Sequence, residues 1–182
     1  MKTAFEGDGI LHEMMRQLIF NLDINCVVET GTETGASAAA FGDMVPNVYT
    51  CDLEDKVDRD MPSNMIRHIS DSVEFLDLLL PDLCAHHRIL FFLDAHLAPQ
   101  FTRVLDELDV LAAQSCPDIA VVIHDFQVPN HDDLGFDTYD DLGPLCVDLV
   151  DSRLRKIFPG SYVAKFNSSA DGARRGVGIF HA

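Results

Sequence analysis

Apolar and polar positions along this chain alternate between two periods. Residues 10–22 carry Ile10, Leu11, Met14, Leu18 and Ile19 at helical spacing, which predicts an amphipathic helix, and the run at 25–29 predicts a first strand. The Ala-rich stretch 34–44 predicts a helix and 47–51 a second short strand. A third strand is expected at 65–69, preceded by a further helix, and Asp71 is a good capping residue for a buried helix over 71–83. Apolar strands are expected at 88–93 and 118–123. Between them a helix over 99–113 turns Val104, Leu105, Leu108 and Leu111 inward. A helix over 144–158 and two strands around a Gly-containing turn complete the pattern.

Such alternation implies an α/β fold, a mostly parallel sheet with helices on both faces in three αβα layers. Ligands of these sheets bind beyond the carboxyl ends of the strands, where the strand order reverses. Chemistry is therefore sought in the segments that follow each strand.

Composition narrows the choice. The 182 residues fit a single domain spanning 1–182. No run approaches the roughly 18 apolar residues of a membrane span, and the N-terminal stretch lacks the apolar core of a signal peptide. A cytoplasmic protein without a membrane partner is expected. Cys26, Cys51, Cys84, Cys116 and Cys146 are scattered and contain no CxxC pair, which argues against a zinc ribbon or a disulfide framework. A net charge of −17 disfavours nucleic acid as a partner. It fits a strongly solvated surface or, more sharply, adaptation to high salt.

The first post-strand segment reads VVETGTETGAS. Gly31 and Gly35 flank a tight turn into a helix, so backbone can approach a ligand closely. The spacing is neither the dinucleotide fingerprint nor the phosphate loop. Glu29 and Glu33 suit a ligand with positive charge better than a pyrophosphate, and the sulfonium and ammonium of S-adenosylmethionine meet that requirement. Asp52 ends the second strand 21 positions after Gly31, near the spacing at which a carboxylate accepts from ribose hydroxyls, with Glu54 as the alternative. Asp71 could accept from an adenine amino group, although helix capping explains it as well. Asp94 ends the fourth strand, with His96 two residues on, and His124 and Asp125 end the fifth. In an order 3-2-1-4-5 these strand ends are neighbours. Two close carboxylates call for a proton or a cation between them, so Mg²⁺ or Mn²⁺ on Asp94, Asp125 and His124 is expected alongside the plainer reading of loop caps.

With these residues in place, VVETGTETGAS resembles the first motif of class I S-adenosylmethionine-dependent methyltransferases. It is nearest the ExGxxxGxS form of the catechol, caffeoyl-CoA and sugar O-methyltransferases. FFLDAH, followed by VLDEL, is similar to bacterial members of that class. The resemblance implies a Rossmann-like seven-stranded sheet in the order 3-2-1-4-5-7-6, with the last strand antiparallel. It implies that Glu29, Gly31, Thr32, Gly35 and Ser37 line the methionine end of the cofactor, with Asp52 at the ribose, Asp71 near the adenine and Asp94 close by. Asp94 and Asp125 match two metal-binding carboxylates of the metal-dependent enzymes, whereas Phe126 stands where those enzymes carry a further Asn or Asp ligand.

The expected function is methyl transfer to a small hydroxylated acceptor, a sugar or a phenol, with a homodimer left open. Asp94 and either His96 or His124 are the candidate catalytic residues, a histidine being the base if no metal serves. The acidic loop 127–143 is the expected wall of the acceptor site. Two other functions compete. A regulatory domain would bind the nucleoside without turnover, and an NAD-dependent oxidoreductase would lack its GxGxxG here.

Overall fold

A computed structural model describes residues 3–95, 103–114 and 116–182. Among the described residues there are five α-helices: α1 (Gly9–Asn21), α2 (Ala36–Gly42), α3 (Ser72–His86), α4 (Arg103–Ala113) and α5 (Val147–Ile157). Seven strands form the main sheet: β1 (Cys26–Thr30), β2 (Asn47–Asp52), β3 (Met65–Ile69), β4 (Ile89–Leu93), β5 (Ile119–His124), β6 (Val163–Phe166) and β7 (Val177–His181). Their order is β3-β2-β1-β4-β5-β7-β6. The first five strands are parallel, and β7 runs antiparallel to both β5 and β6. Fold class and strand order both agree with the expectation. A turn at Ala4–Gly7 and a two-residue ladder of Thr138–Tyr139 with Gly143–Pro144 lie outside the sheet.

The central strands β1, β4 and β5 are buried at every position, as their unbroken apolar runs require when both faces are covered. Alternate side chains feed two cores. Val28, Phe91 and Val121 point into the core built with α3, α4 and α5. Val27, Leu90, Phe92 and Val122 point into the other, with α1 and α2. Phe5, in the N-terminal turn, packs edge-on against Phe41 and Phe92, with ring centroids 5.2 and 5.7 Å away. That cluster anchors the start of the chain over α2.

Several boundaries move for local reasons. Asp8 caps α1 by accepting from the Leu11 amide at 2.8 Å, and Asp71 caps α3 by accepting from Val73 at 2.9 Å. The second helix is shorter than its Ala run because Gly35 enters it with φ of 77°. The helix expected before β3 is absent. Residues 53–64 run as a loop whose Arg59 Nε donates to the Thr34 carbonyl at 2.9 Å. The first residues of the fourth predicted helix, 99–102, lie outside the described residues. Cys84 and Cys116 form one disulfide, with Cα atoms 4.9 Å apart, while Cys26 and Cys51 are buried free thiols as their apolar runs suggest. Scattered spacing hid that pair, because only the packing of α3 against α4 brings the two together.

Candidate functional site

The strand order reverses between β1 and β4, and a cavity of about 640 Å³ opens at their carboxyl ends. One end is made by the loop after β1. Gly31 and Thr32 donate their amides to the Cys51 carbonyl at 2.9 and 3.0 Å, which folds the loop back against β2. Gly31 has φ of 89°, and a Cβ there would overlap the Asp94 carbonyl, so no larger residue fits this turn. Gly31, Thr32 and Ser37 line the cavity. Gly35 is not part of the lining; it shapes the entry to α2, where a Cβ would press on Met61 at 2.8 Å.

Glu29 departs from its expected place. It is wholly buried and behind the lining, not in it. Thr50 Oγ1 donates to its Oε2 at 2.6 Å, and the Thr32 and Thr50 hydroxyls share a further 2.6 Å hydrogen bond. Burial pushes the Glu29 carboxyl up to about 8, with Ser37 and Thr50 opposing the rise. Its side chain thus braces the loop from beneath. Glu107, on α4, is a second buried carboxyl under this end. Burial raises it to about 7, with the nearby Ser72 and Thr30 hydroxyls opposing the rise.

Asp52 and Asp71 line the cavity as expected. Asp52 accepts from the backbone amides of Glu33 at 2.8 Å and Glu54 at 3.1 Å, which fixes its carboxylate at the rim. Asp71 is paired with Arg103 at 2.9 Å. That cation also lines the cavity and had no signal in the sequence beyond its charge.

The far end gathers Asp94, His124 and Asp125, whose ligand atoms lie within 4.8 Å of one another. His124 Nδ1 is 3.1 Å from Asp94 Oδ1 and 3.5 Å from Asp125 Oδ2. Burial pulls this imidazole down, yet the two carboxylates outweigh it and raise it to about 10. His124 therefore stands as an imidazolium at neutral pH. Asp125 also accepts from Arg175 Nε, and Arg175 Nη2 donates to Asp137 at 3.2 Å. Two carboxylates thus face two cations. A hard divalent ion on these residues would compete with the Arg175 guanidinium at Asp125 and with a proton at His124. The three residues are brought together as expected, with Asp125 also held by Arg175. Phe126 is fully buried against Phe166 and Phe180, so the position of the further ligand is a core position.

His96 lies outside the described residues. The acidic loop 127–143 is corrected as a wall: none of its residues lines the cavity. The wall comes instead from Thr3, Phe5 and Glu6 at the start of the chain and from Ala173 and Arg175 between β6 and β7. The loop stands behind Arg175, which its Asp137 holds. His131 pairs with Asp133 at 3.7 Å, away from the lining. Neither flanking segment carries a periodicity that points to a ligand, and only their contacts reveal their position. Arg175 had one faint signal, a cation beside glycine in a chain with 13 Lys and Arg against 30 Asp and Glu.

No protein-family model and no curated protein matches the chain. Solved structures do. The O-methyltransferase TomG of Streptomyces achromogenes, involved in tomaymycin synthesis and solved with S-adenosylmethionine, superposes with a TM-score of 0.62. It is 15% identical over 94% of this chain and 78% of its own. An O-methyltransferase of Bacillus cereus, solved with S-adenosylhomocysteine, has a TM-score of 0.59 at 13% identity, over 94% of this chain and 79% of its own. A methyltransferase of Anabaena variabilis, S-adenosylmethionine-dependent, has a TM-score of 0.59 at 11% identity, over 99% and 87%. The chain has the Rossmann-like fold of class I methyltransferases.

Proposed function

We propose that this chain is an S-adenosylmethionine-dependent methyltransferase that acts on an oxygen of a small hydroxylated molecule such as a sugar or a phenol. The observation that carries this reading is one continuous cavity joining the Gly31–Ser37 loop, Asp52 and Asp71 at one end to Asp94 and His124 at the other. In this reading Gly31, Thr32 and Ser37 receive the methionine part, Asp52 the ribose and Asp71 the adenine. Glu29 holds the loop in shape. Solved relatives of the fold hold S-adenosylmethionine or S-adenosylhomocysteine, which supports the cofactor; fold alone does not name the acceptor.

Methyl transfer is an in-line displacement at a carbon already activated by the sulfonium, so alignment and removal of the acceptor proton are the main tasks. An imidazolium cannot take that proton, and His124 is read as the group that orients Asp94. Asp94 lines the cavity and is partly exposed, with 24% of its side chain accessible, so its carboxylate is the base. The acceptor oxygen forms its bond to the methyl carbon as the carbon–sulfur bond breaks. Neutral S-adenosylhomocysteine leaves, and the proton passes to Asp94 and then to solvent. The net charge of −17 supports a neutral or cationic acceptor over nucleic acid. No described helix is long and apolar enough to cross a membrane. We read residues 1–182 as one catalytic domain of the cytoplasm, compatible with a homodimer.

Calorimetric titration with S-adenosylmethionine and S-adenosylhomocysteine tests the reading. Binding of both, lost on Asp52→Ala, is expected. Absence of heat from either ligand would overturn it. Binding without turnover on any hydroxylated acceptor would favour the regulatory alternative.

A further inference from the structure

We infer that Arg175 is the resident cation of the acceptor end, standing in place of a divalent metal ion, so that the Asp94–His124–Asp125 cluster is complete without one. The inference rests on the proposed function only for what the cavity holds; the statement about metal is independent of it.

Arg175 is a built feature of the site. Its Nε donates to Asp125 and its Nη2 to Asp137 at 3.2 Å. Asp125 is buried, at 3% exposure, so this is a charge-assisted pair beneath the surface and not a mobile surface contact. The backbone on either side of Arg175 is locked as well. Asn167, 1% exposed, donates from Nδ2 to the Arg175 carbonyl at 3.0 Å and accepts from the Val177 amide at 2.8 Å. Gly176 donates to the Gly135 carbonyl at 2.8 Å, and Gly135 donates to the Arg174 carbonyl at 2.9 Å. The Phe126 amide donates to the Gly176 carbonyl at 2.9 Å, tying this segment to the residue that follows Asp125. Gly135 and Gly176 leave the necessary room. A Cβ at Gly135 would sit 3.0 Å from Arg175 Nη1, and one at Gly176 would overlap the Phe126 carbonyl.

The consequence is electrostatic. Asp94 and Asp125 bring two negative charges to the ends of β4 and β5, and Arg175 supplies a permanent positive charge on the buried one. Any divalent ion must compete with that charge at the Asp125 carboxylate. About a third of the guanidinium side chain remains accessible and lines the cavity. From there it attracts the oxygen of an acceptor as negative charge develops on it, the part a metal ion would otherwise play. The favoured acceptors are therefore acidic hydroxyls on an otherwise neutral molecule, such as phenols.

Titrating the full chain with Mn²⁺, following free Mn²⁺ by electron paramagnetic resonance, tests this directly. The wild type should take up no Mn²⁺ at millimolar concentration. Arg175→Gln should gain affinity at least about tenfold, equivalent to about 1.4 kcal/mol, and Asp94→Asn should abolish the gain. Arg175→Lys keeps the charge and should behave as the wild type. Uptake of Mn²⁺ by the wild type that disappears in Asp94→Asn would overturn the inference, even if Arg175→Gln fails to fold. So would a folded Arg175→Gln chain with no gain. Titration with S-adenosylmethionine is read separately: its failure removes the proposed function and leaves the Mn²⁺ outcome as it stands.

Discussion

Glu29→Gln should make the protein less sensitive to alkaline pH. The Glu29 carboxyl ionises near 4.5 in an unfolded chain and is raised to about 8 by burial. Between those values the unfolded chain has released a proton that the folded chain still holds. Stability therefore falls as pH rises through this window and levels off above the folded value. From about pH 6 to about pH 9 the share owed to Glu29 is about 3 kcal/mol, since the slope of one proton ends near the folded pKa. Glu107, raised to about 7, and His124, raised from 6.5 to about 10, act in the same direction, so the wild type loses stability on the alkaline side for three reasons. Glutamine keeps the shape and still accepts from Thr50, so the two proteins should agree within about 1 kcal/mol near pH 4, where Glu29 holds its proton in both states, and the variant should already be ahead by about 2 kcal/mol at pH 6. Urea denaturation at both pH values measures the difference. Parallel losses in wild type and variant would refute the reasoning, because the buried carboxyl would then have ionised at no cost.

Gly31→Ala should abolish S-adenosylmethionine binding by calorimetry and lower stability by about 2–4 kcal/mol, since the turn has positive φ and a Cβ would overlap the Asp94 carbonyl. Retained affinity would show that the loop can open without cost. Asn167→Ala leaves the Arg175 carbonyl and the Val177 amide without their side-chain partner, and urea denaturation should show a loss of about 1–3 kcal/mol. An unchanged midpoint would mean that water replaces both bonds. Raising KCl should raise the melting temperature, because salt screens repulsion within a chain of net charge −17. A melting temperature indifferent to KCl would remove the high-salt reading.

Much of the site was legible in one dimension because many of its cavity-lining residues follow strands. A strand's end is marked by loss of apolar character, and the parallel sheet sets those ends side by side. Gly31, Asp52, Asp71, Asp94 and Asp125 could all be placed from that rule alone. Arg175 and Phe5 could not, since each reaches the site from a turn or a terminus whose path obeys no period. Glu29 shows the opposite limit. Its position at the end of β1 was correct, but only packing decided that its side chain turns inward to Thr50 and leaves the lining to its neighbours.

By itself the sequence determined the order of helices and strands, the parallel sheet and the loop that lines the cavity, because periodicity and glycine are local properties of the chain. Tertiary structure alone decided the balance of charge at the Asp94–His124–Asp125 end of the cavity. Asp125 and Arg175 are 50 positions apart, and their meeting depends on β7 lying antiparallel beside β5 and on Gly176 closing against Phe126. Coulombic energy depends on distance and burial, which no spacing along the chain encodes.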